Sequence, residues 1–403
     1  MKRAILTCTT AMVSLGMAAM PAHAAPGNTA TLKPTAVPTA QVVYDVARLG
    51  NPLGGSYGQG SSITNRGEVA GFDALPGNTV MHAVRWRNGY APQDLGTLGG
   101  PNSAIAWPNR NESGAMAGVA ETSTPQPRGE TWSCAAAVFY LAPPTGDVCL
   151  GFKDQNGAMS ALPTLGGDNG FATGINGSGQ IVGWAENTVQ DPTCNAPQVL
   201  QFEAVVWGPK GQVTQLPAIE NDPDSAATAI NDQGQVVGIS GICSNAIGGL
   251  SAAHMVLWQN GAATNLGSLG GIAWNTPMDI SQKGHVTGFS DLPGDGGNSP
   301  NFHAFFWAPK GGIQNLNTLP GDAISEGLGI NDKDQVVGAS YPSSHAFIWQ
   351  NGVMTDLNNL VAPGTTLVLI DAQEINDAGA ITGEAQDPNT GAISAFVATP
   401  KPK

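Results

Sequence analysis

The stretch Ala227–Gly238 reads A-T-A-I-N-D-Q-G-Q-V-V-G and decides the fold of this chain. Its flanks, Ala227–Ile230 and Gln235–Ser240, are short and rich in β-branched residues, as strands are. Between them, Asn231-Asp232-Gln233-Gly234 has the composition of a type I turn that closes on a glycine in the left-handed region. The stretch therefore predicts a tight hairpin between two strands.

The same pattern recurs along the chain. A close copy is Gly327–Gly338, and weaker copies end at Gly71, Gly118, Gly183, Gly288 and Gly383. Copies of this pattern and of the two that follow it lie about 41 to 67 residues apart, which is typical of propeller blades.

A second pattern, H-A-F-x-W, follows each hairpin. In His345–Trp349, apolar residues occur on both alternating faces, which indicates a strand buried on both sides. The other copies are His82–Trp86, His254–Trp258 and His303–Trp307, with degenerate copies at Ala136–Tyr140, Glu203–Trp207 and Ser394–Ala398. We expect the tryptophans of this pattern to belong to the core.

A third pattern, D-L-G-T-L-G-G at Asp94–Gly100, completes each repeat. In the sixth repeat, Gln350-Asn351-Gly352 turns the third strand into a fourth, Val353–Leu357. One repeat is therefore a four-stranded antiparallel meander of roughly 50 residues. Such a unit cannot bury both faces alone, so it must stack on copies of itself.

The two ends of the chain predict ring closure. Tyr44–Leu49 is a fourth-strand pattern without strands one to three, and the last repeat ends on its third strand. Pairing these two strands removes two open sheet edges. We predict an all-β, seven-bladed β-propeller over residues 42–400, with the N-terminal strand closing the last blade. Six blades are the alternative, with the second repeat as an excursion, because Arg110 replaces its usual isoleucine.

The N-terminus has the three parts of a secretory signal peptide, in order, over residues 1–24. Lys2 and Arg3 precede the apolar stretch Ala4–Met20, and Ala22-His23-Ala24 provides a cleavage site. Residues 25–41 are expected to be a flexible linker, and residues 401–403 a short tail. No other run approaches the ~20 apolar residues of a membrane helix, so we expect a secreted or periplasmic protein without membrane insertion.

The charge balance argues against nucleic acid as a partner. Lys and Arg number 16 and Asp and Glu 30, which gives a formal net charge of -14. A phosphate backbone or an anionic membrane surface would be repelled by such a chain.

The repeats resemble the HAF-repeat family of bacterial extracellular proteins. His303-Ala304-Phe305 and His345-Ala346-Phe347 match the name directly, and the I-N-D-x-G-Q-V-V-G and D-L-G-T-L-G-G segments match too. The resemblance covers the chain after Gln41. It implies an exported, repeat-built protein and carries over no catalytic residues.

Four cysteines follow the signal peptide, and an even count in an oxidising compartment predicts disulfide bonds. Cys194 and Cys243 fall in the loops between strands two and three of neighbouring repeats, so they are the preferred pair. Cys134 and Cys149 flank the third strand of one repeat and are expected to pair locally.

Several loop residues are candidates for ligand contact. Trp132 and Trp274 break the repeat in loops that open on one face of a propeller, where aromatic rings could stack on sugars or on a protein; packing within the loops is the alternative. Asp73, Asp291 and Asp295 are assigned to loops between strands two and three, and two carboxylates at a suitable distance would serve glycosidic cleavage.

The sequence offers one candidate calcium site and no other cofactor. Glu220, Asp222 and Asp224 interrupt the repeat with several carboxylates, which suit Ca²⁺. The repeat histidines are expected to hydrogen-bond to neighbouring backbone rather than to bind a metal.

These observations leave three hypotheses for function. The first is an exported, non-catalytic propeller that binds a glycan or a protein through its loop-bearing face. The second is an extracellular polysaccharide hydrolase or lyase that uses loop carboxylates. The third is a structural assembly protein, and the sequence leaves the oligomeric state open. Fold does not decide among them, because propellers serve all three.

Overall fold

The computed structural model describes residues 42–87, 91–109, 111–131, 138–139, 141–219, 221–244, 248–294 and 301–401. These residues form seven four-stranded antiparallel sheets, each a propeller blade. The predicted seven-bladed β-propeller is therefore confirmed. The second repeat forms a complete blade, so the six-bladed alternative is wrong. No helix among the described residues is long and apolar enough to cross a membrane.

Each of blades 1 to 6 is a meander of four consecutive strands. Blade 1 contains β2 (Gly58–Ile63), β3 (Val69–Ala74), β4 (Met81–Trp86) and β5 (Gln93–Asp94). Blade 2 contains β6 (Gly99–Ala104), β7 (Met116–Pro125), β8 (Asp147–Gln155) and β9 (Ala158–Ala161). Blade 3 contains β10 (Gly170–Ile175), β11 (Ile181–Gln190), β12 (Leu200–Trp207) and β13 (Val213–Gln215).

The remaining blades repeat this order. Blade 4 contains β14 (Asp224–Ile230), β15 (Val236–Gly241), β16 (His254–Gln259) and β17 (Ala262–Asn265). Blade 5 contains β18 (Thr276–Ile280), β19 (Val286–Asp291), β20 (Phe302–Ala308) and β21 (Gly312–Asn317). Blade 6 contains β22 (Ile324–Ile330), β23 (Val336–Tyr341), β24 (His345–Gln350) and β25 (Val353–Asp356). Short 3₁₀ helices lie at Gly249–Ala252 and Leu357–Leu360.

Blade 7 joins the two ends of the chain. It contains β26 (Val368–Ile375), β27 (Ile381–Gln386), β28 (Ile393–Pro400) and the N-terminal strand β1 (Tyr44–Gly50). β1 pairs antiparallel with β28, in a register that runs from Tyr44 opposite Pro400 to Gly50 opposite Ala395. The predicted closure of the last blade by the N-terminal strand is confirmed.

The third strand of blade 2 corrects the sequence reading. Ala136–Tyr140 was expected to be that strand, whereas the structure places it at Asp147–Gln155, with Cys149 inside it. Val138 and Phe139 lie outside any strand, yet both are buried in the core. Buried residues are apolar whether or not they belong to a strand, so the apolar Val138 and Phe139 resembled part of a strand in the sequence.

The two faces of the propeller differ in their connections. The hairpins between strands one and two, and between strands three and four, open on what we term the turn face. The links between strands two and three, and from one blade to the next, open on the opposite loop face. Apolar clusters between neighbouring blades form the core, and they include the repeat residues Trp86, Trp207, Trp258 and Trp349, as expected, while Trp307 is partly buried.

Asparagines link neighbouring blades on the turn face. In five blades the first residue of the N-D-x-G turn donates its Nδ2 to a backbone carbonyl of the next blade, over 2.7 to 3.1 Å; these residues are Asn111, Asn176, Asn231, Asn331 and Asn376. Thr64 and Ser281 occupy this position in the other two blades. There, the N–H of Asn65 donates to Glu112 and that of Gln282 to Asp332, so all seven junctions are bridged.

The repeat histidines have side-chain partners, and His82 also has a backbone partner, Pro101, of the kind that we expected. His82 Nδ1 lies 3.0 Å from an Asp94 carboxylate oxygen, and His345 Nδ1 lies 2.9 Å from that of Asp356. His303 contacts Asn315 in the same way. Each pair joins strands three and four of one blade, which assigns the histidines to blade structure.

Candidate functional site

The loops between strands two and three are long in blades 2 to 5. Those of blades 2 to 4, together with the link from blade 4 to blade 5, form one connected layer on the loop face. We define the loop crest as the described residues among 126–146, 191–199, 242–253 and 272–275. In blades 1, 6 and 7 the corresponding links are short turns, such as the one between Tyr341 and His345. The crest therefore covers one side of the loop face.

Glu130 attaches the blade 2 loop to blade 3. Its Oε1 accepts the backbone N–H groups of Val199 and Leu200, at 2.8 and 2.6 Å. Its Oε2 accepts from Gln126 Nε2 within the same loop, at 2.9 Å. A buried carboxylate with three donors holds a loop firmly, because bonds to a charged acceptor are the strong ones.

A disulfide bond between Cys194 and Cys243 attaches blade 3 to blade 4, as predicted. Backbone bonds accompany it, since Asn195 N donates to Ser244 O at 3.1 Å and Ser244 N donates to Thr193 O at 3.0 Å. The two loops thus share a short ladder as well as a covalent bond, and they form a single rigid unit.

Trp274 and Asn275 attach blade 5 to blade 4. The N–H of Trp274 donates to Gly249 O at 3.0 Å, and that of Asn275 donates to Ala252 O at 2.9 Å. Both acceptors belong to the 3₁₀ helix in the blade 4 loop. With the previous two junctions, this makes the crest continuous from blade 2 to blade 5.

The crest and its rim expose aliphatic side chains. Val189, at the end of β11, is 53% exposed, and Ile272 is 58% exposed. Ile242 and Leu141 are exposed to a smaller degree. Four of the six exposed large hydrophobic residues in the described part of the chain thus lie on this side of the loop face. Their concentration on rigid loops is typical of an interaction surface.

Three carboxylates converge below the crest, at the junction of blades 2 and 3. One oxygen from each of Glu130, Asp168 and Glu186 lies within 4.8 Å of the other two. Glu186, on β11, accepts the N–H groups of Asp168 and Asn169 at Oε2. Burial raises the pKa of Glu186, hydrogen bonds from Gln198 and Asn169 oppose the rise, and the charge of Glu130 adds to it.

A second group of acids lies beside the disulfide bond. Burial raises the pKa of Asp224 to about 9, and the Asp191 carboxyl beside it raises that pKa further. Burial alone would raise the pKa of Asp191 too, but hydrogen bonds from Thr193 and Asp224 outweigh it and lower that pKa. Asp191 and Asp224 therefore share one proton at neutral pH. Burial also raises the pKa of Glu203, the residue in place of a repeat histidine, to about 7.

Trp274 lies in the predicted loop, but it packs inward. Its indole is half-buried against Phe302, with ring centroids 6.4 Å apart. Gly248 lies against the same ring, where a β-carbon would come within 2.8 Å of it. Loop packing therefore accounts for Trp274 better than sugar stacking does. Trp132 lies outside the described residues.

Asp73 and Asp291 do not lie in loops, which corrects their assignment. Asp73 is the penultimate residue of β3 and Asp291 is the last residue of β19, and both are fully buried. Asp73 accepts from Leu53 N at 2.8 Å and Asp291 from Asn301 N at 3.3 Å, so each holds a nearby loop. They belong to blades 1 and 5, which separates them around the ring. Asp295 lies outside the described residues.

The described members of the predicted calcium site have separate partners. Asp222 accepts a bond from Ser240 Oγ and lies 2.7 Å from His254 Nδ1. Asp224 accepts from Phe202 N at 2.9 Å and contacts Asp191. Glu220 lies outside the described residues. Calcium binding by these residues stays a prediction.

Cys149 is disulfide-bonded and buried within β8. Cys134 lies outside the described residues, so its pairing with Cys149 stays a prediction.

Sequence reasoning missed the carboxylates of Glu130, Asp168 and Glu186. Glu130 and Asp168 are 38 positions apart in the sequence, and each lies in a loop of variable length. Alignment of the repeats could have indicated Glu186, because it places Glu121 and Glu186 at equivalent positions of β7 and β11. Nothing in that alignment places Glu130 against them.

Comparison with solved structures gives the fold. The chain is similar to virginiamycin B lyase from Staphylococcus aureus, with a TM-score of 0.52 and 9% identity, over 88% of this chain and 99% of that one. It is similar to a streptogramin B lyase, with a TM-score of 0.50 and 9% identity, over 90% of this chain and 98% of that one.

Comparison of the sequence with protein-family models and with curated proteins gave no match. The resemblance to HAF repeats therefore stays a prediction. At 9% identity, the likeness to the two lyases shows a shared propeller fold and nothing of their chemistry.

Proposed function

We propose that this chain is an exported binding propeller that holds a protein partner on the loop crest. The observation that carries the proposal is the lateral attachment of three loops and the link from blade 4 to blade 5 into one rigid, exposed layer. Ordinary surface loops need no disulfide bond and no shared ladder. A preorganised surface loses little conformational entropy when it binds, so rigidity of this kind favours affinity.

Two observations of different kinds support export. The N-terminus carries the signal-peptide pattern, and Cys194 and Cys243 form a disulfide bond. Disulfide bonds persist in the periplasm and outside the cell. The crest would thus meet partners in the periplasm or at the cell surface.

The exposed side chains favour a protein over a glycan. Val189, Ile242 and Ile272 are aliphatic, and they offer apolar area without a flat ring for a sugar to stack on. Trp274, the described candidate for such a ring, is committed to packing against Phe302. Asp73 and Asp291 are buried in different blades, so these two residues do not form the carboxylate pair that the hydrolase hypothesis requires.

The test compares the crest with the turn face of the same molecule. Val353 is 59% exposed on the turn face, so Val353→Asp is a matched control for Ile272→Asp, at 58% exposure. The mature chain and both variants are cross-linked to proteins of the periplasm or the cell surface, and partners are identified by mass spectrometry. The proposal expects a partner that Ile272→Asp loses and Val353→Asp retains.

Two results would count against a protein partner. One is capture that is equal for all three chains. The other is no capture together with a thermal shift in a polysaccharide panel that Ile272→Asp abolishes, which would identify a glycan instead.

A further inference from the structure

Glu186, which forms a carboxylate cluster with Glu130 and Asp168, contacts the amide of Gln198, and the Oε1 of that amide has no donor among the described residues. Gln198, in the blade 3 loop, is 3% exposed, and none of the described residues donates to its Oε1. Its Nε2 donates to Glu186 Oε1 at 3.0 Å and to Leu200 O at 2.6 Å. The amide therefore sits at the carboxylate cluster.

The orientation of this amide is fixed by its neighbours. Both partners of Nε2 are acceptors, so exchanging the amide nitrogen and oxygen would set an oxygen against two oxygens. Oε1 must then face a site with no donor among the described residues, and a buried carbonyl oxygen left in that state destabilises the fold. A bound cation would satisfy it.

The charges require compensation as well. Three carboxylates meet here, and Arg128 forms an ion pair with one of them, Asp168. When all three are ionised, two negative charges remain in a largely buried site, and buried charges are paired or coordinate metals. A divalent cation balances them.

We propose that Glu130, Asp168, Glu186 and the Oε1 of Gln198 bind a calcium ion. All four ligands are oxygens, which Ca²⁺ and Mg²⁺ prefer over the softer metals. Calcium places its ligands at about 2.3 to 2.6 Å in flexible geometry, so oxygens within 4.8 Å of one another fit around it. Magnesium demands a tighter octahedron that retains several waters.

The ion would reinforce the first junction of the loop crest. Glu130 belongs to the blade 2 loop, whereas Asp168, Glu186 and Gln198 belong to blade 3. One cation between them would attach the loop to the neighbouring blade, as the disulfide bond attaches the next one. This inference does not depend on what the crest binds.

Calorimetric titration of the chelator-treated mature chain tests the site. We expect about one Ca²⁺ per chain, much weaker binding of Mg²⁺, and a melting temperature that rises by several degrees at about 5 mM Ca²⁺. Asp168→Asn and Glu186→Gln should each weaken calcium binding at least about tenfold. Asp168 is only half-buried, so its variant remains informative if Glu186→Gln fails to fold.

Glu121→Gln is the matched control. Glu121 occupies the equivalent place in blade 2 and accepts from Asn102 N and Nδ2, as Glu186 does from Asn169. It belongs to no group of three ligand residues among those described. Its variant should lose stability and keep its calcium affinity.

Arg128→Gln tests the site in the opposite direction, because it should strengthen calcium binding rather than weaken it. Removing the positive charge beside Asp168 should tighten calcium binding several-fold, which general destabilisation would not do. The proposal is overturned by absence of calcium binding to the mature chain. It is also overturned if Asp168→Asn, Glu186→Gln and Glu121→Gln all bind calcium like the parent chain.

Discussion

Asn376 in the last blade donates its side-chain Nδ2 to the carbonyl of Thr64 in the first blade, 2.9 Å away and 312 residues apart in the sequence. The same side chain accepts at Oδ1 from Ala380 N, which closes its own turn. One asparagine therefore stabilises its own hairpin and also links the last blade to the first. This double role explains why the first turn position is so often asparagine.

Asn376→Asp separates these two roles. Aspartate keeps the acceptor for Ala380 and loses the donor to Thr64, so we expect the free energy of unfolding to fall by about 1 kcal/mol, the net worth of one hydrogen bond. Urea denaturation with an unchanged m-value measures it. Asn376→Ala should cost more, since it also removes the turn contact; equal losses would contradict the double role.

Ser281→Asn should stabilise the protein. Ser281 occupies the turn position that carries asparagine in five other blades, and the donor to the Asn331 carbonyl is absent there. We expect a rise of about 0.5 to 1 kcal/mol in the free energy of unfolding. A denaturation midpoint at or below that of the parent chain would show that the blade 5 junction has no room for the longer side chain.

Loss of the Cys194–Cys243 bond should destabilise the chain and loosen the crest. The bond closes a loop with a sequence separation of 49, and disulfide bonds of this kind contribute about 2 to 4 kcal/mol. The Cys194→Ala, Cys243→Ala double variant should melt at lower temperature. Its amides at Asn195 and Ser244 should exchange with solvent faster, whereas those of blade 6 should not; uniform change throughout would argue against a local role.

Stability should fall as the pH rises, in part through Glu203. Burial raises the pKa of Glu203 from 4.5 to about 7, so the folded state binds its proton more tightly than the unfolded state. Its contribution is complete below the unfolded pKa and is lost as the pH passes about 7. Between about pH 5 and pH 8, Glu203→Gln should therefore lose less stability than the parent chain. Parallel curves for the two chains would contradict this assignment.

The repeat could be predicted from the sequence because its cues are local. The turn Asn231-Asp232-Gln233-Gly234, the buried strand His345–Trp349 and the orphan strand at Tyr44 each carry their own signal, and blade stacking follows from them. The pairing of Cys194 with Cys243 was predictable for the same reason, since the repeat register places both in neighbouring loops.

The loop crest could not be predicted in this way. Val138 and Phe139 are buried without belonging to a strand, so their apolar character misplaced the third strand of blade 2. The approach of Glu130 to Glu186 depends on how a long loop folds over the next blade, and no periodicity encodes that. Trp274 was a candidate for ligand stacking, but its indole packs against Phe302, and the sequence of the loop does not show which neighbours a ring will have.

The most direct test of the binding role is the affinity of the mature chain, of Ile272→Asp and of Val353→Asp for the partner identified by cross-linking. The two variants place the same charge at equally exposed positions on opposite faces. We predict that Ile272→Asp raises the dissociation constant at least about tenfold and that Val353→Asp leaves it nearly unchanged. A loss of affinity in Val353→Asp with none in Ile272→Asp would place binding on the turn face and contradict the account.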